Sequence, residues 1–248
     1  MSARLAGQVA WVIGGGSGLG AAAALELATE GAHVVLSGRR AEALGETRAR
    51  IQAAGGSADC LPLDVASAGM VASAVSQLGP IDILVYSSGT NVTRRSLKDI
   101  DPADWRTVMD VNLNGAFAAV NAVLPGMRSK GGGIIITISS WAGWRLEPVA
   151  GAAYSTTKRA LLALNEVINV EEGPNGIRAS CICPAEVDTE VLNTRPQPPT
   201  AEARARMLQP EDIGGLVGFI ATAPKRMCLN EIVVSPTVNR FYQPGNQV

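Results

Sequence analysis

The sequence has little of several features that whole classes of protein require. Its formal net charge is only -1 over 248 residues, which argues against a nucleic-acid or anionic-membrane partner. No uninterrupted apolar run reaches the length that spans a bilayer. The first ten residues, MSARLAGQVA, lack the charged-then-apolar layout of a signal peptide. We therefore expect a cytoplasmic protein whose partners are neither membranes nor nucleic acids.

Histidine and cysteine are also scarce. The single histidine, His33, opens an apolar run and is expected at a strand edge, so a Ser-His-Asp triad has little support. The four cysteines show no metal-binding spacing, and we expect no metal site. Cys181 and Cys183 lie two residues apart in an apolar run. We expect them to be buried free thiols on opposite sides of a strand.

What the sequence does contain is a series of short apolar runs separated by longer helix-like segments. The runs are residues 8–14, 33–38, 58–63, 81–87, 133–139, 177–183 and 231–236. Most are continuously apolar, which is typical of strands buried on both faces of a parallel sheet. The pattern predicts a doubly wound α/β (Rossmann) fold, with one parallel sheet of about seven strands flanked by helices. We expect a single domain over residues 1–248, with a proline-containing loop or lid at about 187–210.

The stretch GGGSGLG, from Gly14 to Gly20, follows the first predicted strand and precedes the first predicted helix. Glycine removes the Cβ where a backbone must turn tightly and approach a pyrophosphate. The N-terminus of the following helix offers free N–H groups to that anion. In this position the glycines favour a dinucleotide-binding loop over a merely flexible turn.

The end of the second predicted strand, LSGRR, bears on which dinucleotide is bound. An NAD site is expected to place an acidic residue there, against the ribose hydroxyls. Here Gly38 stands in that place and is followed by Arg39 and Arg40. Guanidinium groups bind a 2′-phosphate through charge-assisted hydrogen bonds. The sequence therefore favours NADP(H) over NAD(H), unless the arginines only begin a solvated helix.

In the stretch GAAYSTTKRA, Tyr154 and Lys158 lie four residues apart and project from one face if the segment is helical. Taken alone, such a pair is more often two surface residues that occur together by chance than a catalytic pair. A phenol beside an ammonium group is nevertheless a suitable proton carrier, because a nearby cation favours the phenolate.

Taken together, these motifs resemble the short-chain dehydrogenase/reductase family over essentially the whole chain. The resemblance is carried by the glycine loop, Asp64-Val65, Asn112 in VNLNGAF, Ser139-Ser140, and the Tyr154/Lys158 pair fourteen residues after Ser140. It implies an enzyme that interconverts a secondary alcohol and a ketone or aldehyde on a small substrate by hydride transfer. The catalytic residues it implies are Asn112, Ser140, Tyr154 and Lys158, with Tyr154 as general acid/base.

The same resemblance implies contacts to the cofactor and the substrate. The implied cofactor-binding residues are Gly14, Ser17, Gly18, Leu19, Gly20, Arg39, Arg40, Asp64, Val65, Ser88, Gly89, Tyr154, Lys158, Pro184, Val187 and Thr189. The residues expected near the substrate are Trp141, Trp144, Glu147 and Glu186. Trp141 and Trp144 are equally compatible with packing or an oligomer contact.

Three positions depart from the family pattern. Ile13 stands where threonine is usual, the stretch from Ser87 to Gly89 replaces part of an Asn-Asn-Ala-Gly motif, and Ala185 replaces the glycine of a Pro-Gly pair. We expect the Ala185 β-carbon to narrow the nicotinamide pocket. Two other functions remain open, a non-catalytic dinucleotide-binding regulator or sensor and a structural subunit. The complete Asn-Ser-Tyr-Lys set argues against a sensor, which has no need of a proton relay.

The helix that carries Tyr154 and Lys158 is predicted to be apolar on two sides. Leu161, Leu164 and Ile168 form one side of KRALLALNEVINV; the other comprises Ala160, Ala163, Val167 and Val170. The sheet covers one side, so we expect a symmetric partner to cover the second and form a homo-oligomer, a tetramer or a dimer. Residues 100–130 of the same chain are the alternative cover.

Overall fold

The structure is built around one parallel sheet of seven strands. It is a computed structural model that describes residues 3–194 and 198–242. The strands are β1 (Val9–Ile13), β2 (His33–Ser37), β3 (Ser57–Cys60), β4 (Ile83–Tyr86), β5 (Gly133–Ile138), β6 (Ile177–Pro184) and β7 (Glu231–Val234). Their order across the sheet is β3-β2-β1-β4-β5-β6-β7. This confirms the predicted doubly wound α/β fold and its single parallel sheet.

The strands are continuously apolar because both faces of the sheet are covered. Along β1, Ala10 and Val12 contribute to one core layer, and Trp11 and Ile13 contribute to the other. Successive side chains point to opposite faces, so a strand between two helical layers buries every position. Strand β7 lies at the edge of the sheet, and its successive residues alternate between exposed and half-buried.

Nine helices of the described residues flank the sheet. They are α1 (Gly18–Thr29), α2 (Ala41–Ala53), α3 (Ala68–Leu78), α4 (Pro102–Met109), α5 (Gly115–Lys130), α6 (Trp141–Trp144), α7 (Ala152–Glu172), α8 (Ala201–Arg204) and α9 (Pro210–Thr222). Helices α1 and α9 pack into the core layer on one face, and α5 and α7 pack into the layer on the other. Over the described part of the chain, no helix combines the length and apolarity needed to cross a membrane.

The expectation that Cys181 and Cys183 face opposite sides of a strand is wrong. Both are fully buried in the same core layer on β6. Residues two apart on a strand share a face, because side chains alternate with a period of two. The two thiols interact, and hydrogen bonds from Cys183, Thr137 and Asn165 lower the pKa of the Cys181 thiol. All four cysteines are free.

The topology determines where a ligand can bind. Strand β1 lies between β2 and β4, so the chain turns in opposite directions on the two sides of β1. In parallel α/β sheets a crevice opens at this switch point, outside the carboxyl ends of the strands. The glycine loop follows β1, the two arginines follow β2, and residues 87–91 follow β4. The fold therefore places all three segments at the rim of one crevice.

Candidate functional site

The glycine loop is a tight turn between β1 and α1. Gly14 has φ +87°, and a β-carbon there would lie 2.7 Å from the Ser88 nitrogen. A β-carbon on Gly20 would collide with the Gly14 carbonyl oxygen, so only glycine lets the first turn of α1 approach the loop. The Gly14 and Gly15 N–H groups donate to the Ser37 carbonyl, at 2.7 and 3.2 Å. The loop is thus held by backbone bonds.

A cavity of about 590 Å³ runs from this loop to Tyr154 and Lys158. Eleven of the predicted cofactor residues line it: Gly14, Ser17, Gly18, Leu19, Arg39, Arg40, Ser88, Gly89, Tyr154, Lys158 and Thr189. Arg40 Nη2 donates to Ser17 Oγ at 3.0 Å, which joins the arginine end of the cavity to the glycine loop. An extended volume with cations at one end and the N-terminus of α1 alongside fits a phosphorylated dinucleotide.

Five predicted cofactor residues do not line this cavity. Gly20 acts in packing α1 against the loop, as described above. Asp64 turns back to accept the Ala66 N–H at 3.0 Å. Val65 is 6% exposed and belongs to the core. Pro184 and Val187 lie at the next cavity along the cleft.

Tyr154 and Lys158 both lie in the first two turns of α7, one turn apart as the sequence predicts. The Lys158 Nζ is 5.6 Å from the centroid of the Tyr154 ring. Lys158 is only 4% exposed, and its Nζ donates to the Ile138 carbonyl at 2.8 Å. A buried cation is therefore fixed beside the phenol at the inner end of the cleft.

Asn112 lies within a π-helical turn, Asp110–Asn114, inserted between α4 and α5. Its Oδ1 accepts the Thr90 N–H at 2.7 Å, and its Nδ2 donates to the Thr90 carbonyl and to Thr157 Oγ1, at 3.0 and 3.1 Å. Asn112 is fully buried and lines neither cavity. It links the segment after β4 to the helix that carries Tyr154.

The π-helical turn rests on Tyr86, the last residue of β4. The Tyr86 hydroxyl donates to the Val111 carbonyl, one residue before Asn112. A β-carbon on Gly115 would lie 2.6 Å from that hydroxyl, so the start of α5 can approach only as glycine. Burial raises the pKa of Tyr86 above its usual value. The Tyr86 phenol therefore stays protonated and donates to a carbonyl of the π-helical turn.

A second, smaller cavity of about 190 Å³ opens beside the first. Leu19, Asn91, Ser139, Tyr154 and Thr189 line both cavities, so the two spaces meet at Tyr154. Ser140 lines the smaller one, and its Oγ accepts the Ala142 N–H at 3.2 Å as the N-cap of α6. The geometry thus provides a large cavity and a small cavity with a phenol between them.

The predicted substrate residues divide into two groups. Trp141, Glu147 and Glu186 line the smaller cavity. Trp144 does not, because the turn of α6 directs it toward α7, where it packs against the core. Glu186 is buried, and its Oε2 accepts from Arg240 Nε at 2.6 Å. The Glu186 carboxylate is thus occupied by a cation of its own chain.

Contacts within the chain hold the described parts of the predicted lid, residues 187–194 and 198–210. Val187 pairs with Leu208, and Arg204 Nη1 contacts Asp188 Oδ1 at 3.0 Å. Leu192 is 3% exposed and lines the smaller cavity. Residues 195–197 of the predicted lid lie outside the described residues.

The departures from the family pattern fit without strain. Ile13 is fully buried in the core, and its carbonyl accepts the Ser87 N–H at 2.8 Å. Ala185 lines the smaller cavity, and no described residue other than glycine has a positive φ. Its N–H donates to the Val234 carbonyl at 2.8 Å. The methyl group at position 185 therefore fits ordinary backbone geometry.

Several cavity residues were missed by the sequence analysis. Asn91 and Arg95 follow β4, and the Asn91 Nδ2 donates to the Ala150 carbonyl at 2.9 Å. Phe241 comes from the far C-terminal part of the chain. No local motif marks these positions, since they reach the site only through the packing of distant segments.

Comparison with known proteins agrees with this geometry. The family model for short chain dehydrogenase matches residues 8–199. The chain is 32% identical over 241 residues to human dehydrogenase/reductase SDR family member 4, covering 93% of this chain and 86% of that protein. It is 32% identical over 242 residues to glycine betaine reductase ATRR of Emericella nidulans, covering 94% of this chain but only 19% of that longer protein.

The fold is shared with solved structures as well. A metagenomic short-chain oxidoreductase in complex with NADP matches with a TM-score of 0.81 and 32% identity, over 95% of this chain and 100% of that one. The matched region of the family model contains the glycine loop, Asn112, Ser140, Tyr154 and Lys158. The chain therefore belongs to the short-chain dehydrogenase/reductase family of oxidoreductases.

Proposed function

We propose that this protein is an NADP(H)-dependent oxidoreductase that interconverts a small secondary alcohol and its carbonyl compound. The observation that carries the proposal is the position of Tyr154, which lines both cavities and stands beside the buried Lys158 cation. A phenol at the junction of a cofactor space and a substrate space is placed to exchange a proton with a substrate oxygen.

In this proposal a bound nicotinamide supplies or accepts the hydride. In the reducing direction the Tyr154 hydroxyl gives its proton to the substrate oxygen, and the resulting phenolate is stabilised by Lys158. In the oxidising direction the phenolate takes the hydroxyl proton. Ser140 hydrogen-bonds the substrate oxygen and orients it toward Tyr154. Asn112 holds the Thr90 backbone and Thr157 in register with Tyr154, through the three hydrogen bonds described above.

The preference for NADP(H) is supported by Arg39 and Arg40, which line the far end of the larger cavity together with Gly38. No carboxylate occupies position 38, where an acidic side chain would repel a 2′-phosphate. The metagenomic relative contains NADP in its complex.

The proposal includes a homo-oligomer that uses α7. Val167 and Val170 of the predicted second side are 48% and 73% exposed. Phe117, on the neighbouring helix α5, is 57% exposed. An apolar surface of this kind is unfavourable in water, and a second copy of the chain would cover it.

The test is a panel of small alcohols and carbonyl compounds with NADP(H) and NAD(H), followed at the nicotinamide absorbance. We expect turnover that is faster with NADP(H). Tight NADPH binding with no turnover on any compound would favour the regulator or sensor. No change of NADPH fluorescence on mixing would favour a structural subunit.

A further inference from the structure

We propose that Phe241 is a specificity-determining wall of the substrate cavity, and that the Glu186–Arg240 ion pair holds it in place. This inference rests on the proposed function, because it assigns the substrate to the smaller cavity. It concerns residues 239–242, called here the C-terminal turn. It limits the substrate class to compounds with a compact group beside the reacting carbon.

The ion pair joins the C-terminal turn to the floor of the cavity. Arg240 Nε lies 2.6 Å from Glu186 Oε2, and the Glu186 side chain is only 8% exposed. A buried carboxylate is costly unless a cation or hydrogen bonds compensate it. Glu186 lies next to Val187, between the strand β6 and the start of the lid. The turn is therefore attached to a buried residue that lines the smaller cavity.

Aromatic contacts attach the same turn to the catalytic serine's helix. Phe241 stacks on Trp141, with ring centroids 5.6 Å apart and an interplanar angle of 28°. Tyr242 meets the same indole edge-on at 5.3 Å. Trp141 directly follows Ser140 and is the first residue of α6, so the C-terminal turn packs against the start of this helix. Offset and edge-to-face pairs of this kind are favourable beyond their buried area.

The turn is also ordered internally. Asn239 is 7% exposed, its Oδ1 accepts the Phe241 N–H at 3.0 Å, and its carbonyl accepts the Tyr242 N–H at 3.1 Å. The Arg240 guanidinium lies 5.3 Å from the centroid of the Phe241 ring. These contacts determine the direction of the phenyl ring, which lines the smaller cavity.

The consequence for the substrate follows from size and charge. The cavity measures about 190 Å³, at the small end for a ligand site, and it also contains the residues implied for nicotinamide. Phe241 adds an apolar wall beside Leu192 and Val149. Because Glu186 is neutralised by Arg240, its charge does not select a cationic substrate. The structure therefore favours compact substrates through shape rather than through this carboxylate.

The experiment compares two ketones that differ in one substituent, butan-2-one and acetophenone, with NADPH and the full chain. We expect Phe241→Ala to shift the kcat/KM ratio toward acetophenone by about 10-fold or more, within the range that pocket size commonly supplies. Phe241→Leu should shift it less. The Kd for NADPH should stay within about 2-fold of the parent. Phe219→Ala is the matched control, because Phe219 is 54% exposed and lines neither cavity.

Arg240→Met tests the attachment separately from the wall. We expect the same direction of change in the ketone ratio, together with faster hydrogen exchange at the Phe241 and Tyr242 amides. A parent-like ratio in Phe241→Ala, with the parent active, would overturn the role of Phe241 alone. A parent with no turnover on either ketone or on the alcohol panel would overturn the proposed function, and the assignment of Phe241 with it.

Discussion

At the scale of single residues, the proposed function assigns proton transfer to a phenolic hydroxyl next to a buried ammonium group. Tyr154→Phe removes only that hydroxyl and keeps the ring 5.6 Å from Lys158 Nζ. We expect turnover to fall by about 10² to 10⁴-fold, the usual contribution of a general acid/base. NADPH should still bind, as measured by fluorescence titration. Comparable rates in the variant and the parent would refute the assigned role.

The proposed preference for NADP(H) also rests on single side chains. Arg39→Asp replaces one of the two arginines predicted to bind the 2′-phosphate with a carboxylate. We therefore expect the preference for NADPH over NADH to collapse or reverse. The measurement is kcat/KM with each cofactor. Arg50→Asp, on an exposed position of α2 away from both cavities, makes the same charge change and should leave the ratio unaltered. A parent that prefers NADH would contradict the assignment.

At the scale of elements, the π-helical turn between α4 and α5 sets the position of Asn112. Tyr86→Phe deletes the only hydroxyl of β4 that donates to the Val111 carbonyl. We expect a loss of stability of about 1 to 3 kcal/mol, typical of a buried carbonyl left without its donor. Because Asn112 is held one residue further on, turnover should fall as well.

A neighbouring variant separates these two effects of Tyr86→Phe. Thr137 pairs with Tyr86 across the sheet, is equally buried, and accepts from Asn165 Nδ2 at 2.7 Å. Thr137→Val therefore removes the buried hydrogen bonds of this hydroxyl, with Asn165 and Cys181, and leaves the π-helical turn intact. Thermal melts and steady-state rates should show similar destabilisation but a smaller loss of turnover than in Tyr86→Phe. Equal rates in the two variants would argue against a positioning role.

The contact between α5 and α7 makes the fold sensitive to acid. Arg128 Nε donates to Glu172 Oε2 at 2.8 Å, and this bond lowers the pKa of Glu172 from its usual 4.5 to about 2. A carboxyl whose pKa is lower when folded stabilises the fold fully above pH 4.5, and the contribution disappears as pH falls toward 2. Glu172→Gln should therefore melt lower than the parent at neutral pH, with the gap closing in that window. Glu46→Gln, exposed on α2, is the control for circular-dichroism melts.

At the scale of the whole molecule, the proposed oligomer uses α7, the helix that carries Tyr154 and Lys158. The described residues 102–114 pack on part of this helix, yet Val167 stays 48% exposed and Ala163 is exposed beside it. We expect Val167→Asp to lower the mass of the oligomer measured by light scattering, because a charge in an apolar interface is costly. Met70→Asp on α3 should leave the mass unchanged. A monomeric parent at micromolar concentration would refute the oligomer.

Local signals in the sequence were enough to predict the fold and most of the residues that were expected in one cleft and line the larger cavity. The strands were visible because a sheet covered on both faces needs unbroken apolar runs, such as ILVY in β4. The glycines were visible because a tight turn into α1 tolerates nothing larger at Gly14 and Gly20. The spacing of Tyr154 and Lys158 follows from helical geometry alone. Each of these constraints acts within a few residues.

The substrate end of the site was decided only by the tertiary structure. Trp144 was expected at the cavity, but the turn of α6 directs it against α7. Glu186 lines the smaller cavity, and only the tertiary structure reveals its ion pair with Arg240 of the C-terminal turn. Phe241 stacks on Trp141, and Tyr86 donates to the Val111 carbonyl. In both pairs the partners are distant in the sequence. Such contacts depend on which segments the sheet order brings together, and no local pattern encodes that order.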